Sequence, residues 1–150
     1  MSMIHFQLVT PERTVLSEEL TSLSCPTQMG QITILPNHAP LVAALSSGEL
    51  QAKTETGDSF IFVAGGFVEV RANNEVVVLA DAAEHHYEID IEKAEAAKKK
   101  AEDDMKQHRM SNEEYAKVAA ALEHSLARMK IARKHAHRKN PLVSQGNLTD

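Results

Sequence analysis

A chain of 150 residues with 43% apolar side chains holds one ordinary core, or a compact domain with an appendage. Its formal charge of −5 is unevenly spread: residues 1–89 carry 3 Lys/Arg against 11 Asp/Glu, and residues 90–150 carry 13 against 10, so the halves offer different surfaces to partners. One cysteine, Cys25, permits no internal disulfide and makes an intracellular chain the simpler expectation, and no run approaches the 18 or so apolar residues of a membrane span. Nor does the N-terminus join a basic region to a long apolar one, so membrane association is expected only through a partner.

Residues 4–10 alternate Ile4, Phe6 and Leu8 against His5, Gln7 and Val9, the period of a strand with one buried face. Pro11-Glu12-Arg13 turns the chain, and residues 15–24 read as one further strand with Cys25 at its end as a small buried apolar residue. After a bend at 28–31, Ile32 and Ile34 alternate again, and Pro36 and Pro40 fix residues 35–41 in extended and turn geometry. Residues 41–45, 49–54, 59–64, 67–71 and 75–79 follow as short strands, punctuated by Ser47-Gly48, Thr56-Gly57-Asp58, Gly65-Gly66 and Asn73-Asn74. Such a series predicts an antiparallel β-sandwich. It names no reaction: no nucleophile–base constellation has meaningful spacing, and Gly65-Gly66 lacks the longer glycine pattern of a phosphate loop.

The grammar changes across residues 80–94, because all five prolines and all six glycines lie outside residues 67–140. Asp90 is a good N-cap, and Ile91, Ala94, Ala97, Ala101 and Met105 recur at helical spacing. Ser111 and Glu114 then have capping-box spacing and begin a second helix to about His137, with Tyr115, Val118, Ala119, Leu122, Leu126, Met129, Ala132 and Ala136 on its apolar side. A short connection implies an antiparallel hairpin, and alanine-lined stripes bury so little area that its closure is expected to be marginal. His85 and His86, adjacent on an extended segment, point to opposite faces and read as surface histidines rather than metal ligands. Three segments result: a sandwich over 1–86, a helical hairpin over 87–139, and a tail over 140–150 expected to be poorly ordered.

Three stretches carry a family resemblance. Gly30-Gln31-Ile32-Thr33-Ile34-Leu35-Pro36-Asn37-His38-Ala39-Pro40-Leu41 resembles the GELGI-x-PGH-x-PL signature of the epsilon subunit of F-type ATP synthases, Ala64-Gly65-Gly66-Phe67-Val68-Glu69-Val70 its SGGFxEV, and Val77-Val78-Leu79-Ala80-Asp81-Ala82-Ala83-Glu84 its VTVLADxAE. Gln31, Thr33 and Asn37 depart from the usual Glu, Gly and Gly, and Asn37 is the non-glycine residue best suited to a left-handed turn. The resemblance implies a non-catalytic rotor subunit on the cytoplasmic face of the bacterial inner membrane. Its sandwich would hold the gamma subunit and the ring of c subunits, with Gln31 and His38 near the ring; within the turn alone, His38 would simply hydrogen-bond locally.

The resemblance also implies a regulatory role for the helices. Residues 117–139 hold seven basic side chains against one acid, Glu123. They form either a solvated face or, in an extended form of the hairpin, the surface that enters the catalytic head and meets an acidic segment of beta, with Arg128, Arg133 and Lys134 making that contact and braking ATP hydrolysis. Some bacterial members bind ATP through an I-D-x-x-R-A motif and helper arginines; the corresponding residues here are Glu84, Asp90, Lys93, Ala94 and Arg128, with Lys93 replacing an arginine and His124 one of the helpers. A point charge and a neutral imidazole grip phosphate poorly, so ATP binding is expected to be weak or absent and no cofactor is expected. From other classes, a free nucleic-acid-binding module using the basic helix is disfavoured by net acidity and 4% aromatic residues, and no motif speaks for a small enzyme.

Overall fold

In the computed structural model, residues 2–107 and 109–138 are described. The strands are β1 (Ile4–Val9), β2 (Thr14–Leu20), β3 (Ser22–Thr27), β4 (Gly30–Ile34), β5 (Leu41–Ala44), β6 (Gly48–Lys53), β7 (Asp58–Val63), β8 (Phe67–Val70), β9 (Glu75–Leu79) and β10 (Ala83–His85). They form two five-stranded sheets in the orders β2-β1-β9-β8-β5 and β10-β7-β6-β3-β4. The period-two pattern does the sorting: Ile4, Phe6 and Leu8 of β1, Val68 and Val70 of β8, and Val76 and Val78 of β9 turn inward to meet Leu23, Cys25, Ile34, Leu50, Ile61 and Val63 of the second sheet. Cys25 is fully buried, and loss of water around it pushes its thiol up to about 11, so it is a packing residue rather than a reactive one.

Three features differ from the sequence expectation. The run 15–24 is two strands in different sheets. The chain crosses at Thr21, whose N–H donates to the Lys53 carbonyl at 2.8 Å; an extended backbone can change sheets without a turn residue, so the hydrophobic pattern carries no mark of it. A three-residue strand, β10, closes the second sheet by pairing with β7, too short to register as a period. The first sheet is mixed, because β1 runs parallel to β9 while its other neighbour, β2, is antiparallel.

The chain divides into two compact units, Met1–His85 and His86–Asp150. In the second, α1 (Ile91–Gln107) begins at Asp90, whose Oδ1 accepts from the Lys93 N–H at 3.2 Å. The second helix, α2 (Asn112–Lys134), begins at Ser111, whose Oγ accepts from the Glu114 N–H at 3.2 Å. The two helices pack on each other, and Arg133 Nη2 reaches Glu95 Oε1. That pair marks the register: counting 1.5 Å per residue from it, Gln107 at the end of α1 lies level with about residue 121, so α2 residues 112 to about 120 run roughly 13 Å beyond α1.

The apolar stripe of α2 is only partly covered, and the overhang accounts for Tyr115 alone, since Leu126 lies level with about residue 102 of α1. Met129 and Ala132 are buried as expected, together with Ser125 and Ile131, whereas Tyr115 (50%) and Leu126 (44%) stay exposed, as do Ala97 of α1 and Ala136 past the end of α2. The histidines also differ from expectation. His85 is buried in the sandwich with Nε2 3.1 Å from the Val15 carbonyl, and His86 is buried with its ring edge-on to Tyr87 and to His135. Among the described residues no group of three His, Cys, Asp or Glu is placed to hold a metal. Lys139 and the 140–150 tail lie outside the described residues.

Candidate partner-binding surfaces

Pairing register sorts the outer face of the first sheet into rows, since directly opposed residues share a face. Ala44, Phe67, Leu79 and Val9 are successive partners across β5, β8, β9 and β1. Two strand positions along, Val42, Glu69, Val77 and Gln7 form the next row. Phe67 (57%), Leu79 (55%) and Val42 (67%) are exposed, and Val9, Pro11, Phe67 and Leu79 line a shallow depression of about 400 Å³. Further along, the face becomes charged: His5 Nδ1 lies 3.3 Å from Glu19 Oε1, and Arg71 pairs with Glu69 at 3.2 Å. The neighbouring carboxylate raises the Arg71 guanidinium further above its already high value. One end of the face is therefore greasy and the other salt-bridged, an arrangement suited to an extended protein partner. Sequence reasoning missed Phe67 and Leu79. Their signal was available, because alternation with buried Val68 and Val78 puts both large apolar residues on the face that should be polar.

The loop after β4 is fastened by two asparagines in left-handed conformation, Asn37 (φ 68°) and Asn74 (φ 61°). The Asn37 N–H donates to Asn74 Oδ1 at 2.5 Å, and Asn74 Nδ2 donates to Asn37 Oδ1 at 3.4 Å. His38 is exposed, with Nδ1 2.7 Å from the Ala39 carbonyl, a bond local to the turn. The clasp and the histidine's local bond together make this a built turn. Asn74→Ala is expected to cost about 2 kcal/mol or more, the lost bond adding to the strain of alanine at a left-handed φ, read as a shift in the denaturant midpoint, whereas Asn37→Gly, which suits the same φ and loses only the 3.4 Å bond, is expected to cost less than about 1 kcal/mol.

The sequence-predicted positions are not all brought together. Gln31 is exposed near the start of β4, beside the turn where Met29 is 96% exposed and Gln28 N bonds to the Ala44 carbonyl. His38 lies beyond the other end of β4, next to the asparagine clasp, about one short strand away. Glu84 sits on β10 of the sandwich. In the helical unit, Asp90 is engaged as the cap of α1, Ala94 is buried, and Lys93 is exposed level with about residue 135. Arg128 is level with about residue 100, so Lys93 and Arg128 are separated by roughly 10 Å along the hairpin. Arg128, Arg133 and Lys134 fan around α2, about 140° and then 100° apart, rather than sharing one face.

The described residues thus form a β-sandwich with an exposed apolar strip, followed in the chain by an alanine-lined helical pair. Residues 3–86 match the family model described as ATP synthase, Delta/Epsilon chain, beta-sandwich domain, and residues 88–133 match ATP synthase, Delta/Epsilon chain, long alpha-helix domain. The chain belongs to the ATP synthase Delta/Epsilon chain family. It is 44% identical over 143 residues to an ATP synthase epsilon chain from Dehalococcoides mccartyi, covering 95% of this chain and 100% of that one. An ATP synthase epsilon chain from Nitratidesulfovibrio vulgaris is 39% identical over 128 residues, 85% of this chain and 94% of the relative. In fold it is similar to a chain in the cryo-EM structure of the Euglena gracilis mitochondrial ATP synthase, with a TM-score of 0.74 at 23% identity over 85% of this chain and 79% of that one.

Proposed function

We propose that this chain is the epsilon-type subunit of a bacterial ATP synthase, a non-catalytic part of the central stalk. Its sandwich holds the gamma subunit and the c ring, and its helices restrain ATP hydrolysis. The observation that carries the reading is the row Ala44, Phe67, Leu79, Val9 with Val42 beside it, an apolar strip left in water on an otherwise well-sorted sandwich. Burial against gamma supplies what that strip lacks, and a rotor contact must be broad to carry torque. On this reading the c ring meets the β3–β4 turn with Met29 and Gln31, and a contact that also includes His38 must extend along the whole of β4.

The proposed place is the cytoplasmic face of the inner membrane, with attachment through the complex; no helix among the described residues is long and apolar enough to cross a membrane. Asp90 acting as a cap, together with the separation of Lys93 from Arg128, supports a hairpin without a working ATP site. Reconstitution with gamma tests the assignment. Phe67→Lys combined with Leu79→Lys is expected to weaken the gamma complex at least about 100-fold, near 3 kcal/mol, in size-exclusion chromatography and titration. Wild-type affinity in a variant of unchanged thermal stability would remove the sheet face as the gamma surface.

A further inference from the structure

The hairpin holds Arg133 through a carboxylate of α1, with Arg133 Nη2 2.5 Å from Glu95 Oε1, and both side chains are about half exposed, 58% and 51%. Around them lies a groove of about 260 Å³ lined by Glu95, Lys98, Lys99, Glu102, Met129 and Arg133. Its charges can be re-paired without α2. Lys98 Nζ is 3.9 Å from Glu102 Oε1, and Lys99, four residues after Glu95 on the same helix face, is placed to take over Glu95 when Arg133 leaves. Opening the hairpin therefore leaves Glu95 with a replacement partner on α1, while it frees the Arg133 guanidinium on α2.

We propose that Glu95 is a self-masking residue: it occupies in the hairpin the same guanidinium that an acidic partner segment takes in the extended form, so the two contacts exclude each other. This rests on the inhibitory reading of the helices given above. Glu95 thereby sets how often Arg133 is available, and an exposed ion pair of this kind tunes an equilibrium by a few-fold rather than locking it. Since both partners are solvent-accessible, the bias weakens as ionic strength rises.

The test uses the full-length chain and three variants: Glu95→Gln, Arg133→Glu, and the double swap Glu95→Arg with Arg133→Glu. Amide hydrogen exchange of α1 and α2, read by mass spectrometry, reports opening without reference to inhibition. Exchange in Glu95→Gln is expected to be about two- to five-fold faster at low salt, with the difference shrinking at high salt. The double swap is expected to return exchange to the parent rate, whereas Arg133→Glu alone stays fast. In the reconstituted complex, Glu95→Gln is expected to inhibit ATP hydrolysis more strongly than the parent and the double swap less strongly. Parent-like exchange in Glu95→Gln overturns the masking role. Faster exchange with unchanged inhibition leaves the intramolecular latch standing and overturns the inhibitory function on which the proposal rests.

Discussion

Gly66→Ala is expected to cost the sandwich about 3 kcal/mol or more, while Gly30→Ala, at nearly the same backbone angle, costs about 1–2 kcal/mol. The two glycines have φ of +109° and +111°, so the strain of placing a side chain in that region is common to both. What differs is the space. A Cβ on Gly30 meets nothing within 4 Å, whereas one on Gly66 falls 2.0 Å from the Leu79 carbonyl oxygen and 2.7 Å from the Ala80 Cα, both backbone atoms that cannot swing away. The Gly66 carbonyl also accepts the Leu45 N–H at 2.8 Å, so moving the turn aside loses the bond that holds the chain just after β5. Thermal unfolding of both variants checks the pair. A loss of more than 10 °C in Gly66→Ala, at about 4–8 °C per kcal/mol for a unit of this size, beside a clearly smaller one in Gly30→Ala, isolates the steric part. Equal losses would mean that the close approach of the two turns is not a constraint on the fold.

The same comparison shows why part of this molecule could be read from its residues and part could not. Sheet faces were legible because burial follows parity: Phe6 and Leu8 go in, and His5 and Gln7 stay out. The caps were legible because Asp90 and Ser111 act within three residues of themselves. Left-handed Asn37 was legible from chemistry, since few other side chains accept φ of 68°. Its tie to Asn74 was not, because that bond spans 37 residues and depends on which turns the sheet brings side by side.

Helical periodicity marked the stripe of α2 but could not say how much of it has a partner. The register of the hairpin, marked by the Glu95–Arg133 pair across 38 residues, leaves Tyr115 beyond the end of α1. Ala97 and Ala136 were assigned to the seam because alanine fits either environment, so a count of spacings cannot separate a buried alanine from an exposed one. The resemblance places both Gln31 and His38 near the ring, and the strand between them sets them apart at about 3.3 Å per residue, a separation that a motif does not display.

Replacing Arg128, Arg133 and Lys134 together by Ala is expected to relieve inhibition of ATP hydrolysis in the reconstituted complex about tenfold or more at low salt, with a smaller difference at high salt. Two effects oppose each other in this variant. Losing Arg133 also loses its pair with Glu95, which favours the proposed extended form, but the pair is exposed and contributes at most about 1 kcal/mol. Each basic contact to a carboxylate in a water-poor cleft contributes about 1.5–3 kcal/mol, so removal of three outweighs the loosened hairpin.

The fan of these side chains around α2 gives the prediction a second edge. A flat acidic surface reaches two of them at once, whereas a cleft that encloses the helix reaches all three, so single replacements distinguish the geometries. If the helix is enclosed, Arg128→Ala, Arg133→Ala and Lys134→Ala each weaken inhibition. If it lies on a flat surface, at least one of them is silent. The overhanging turns of α2, with Tyr115 already in water, enter any such cleft without first being peeled from α1, so the cost of insertion falls on the stretch from about residue 121 onward, where Ser125, Met129, Ile131 and Ala132 must be uncovered. Inhibition that persists undiminished at low salt in the triple variant would show that these charges do not make the contact with the catalytic head.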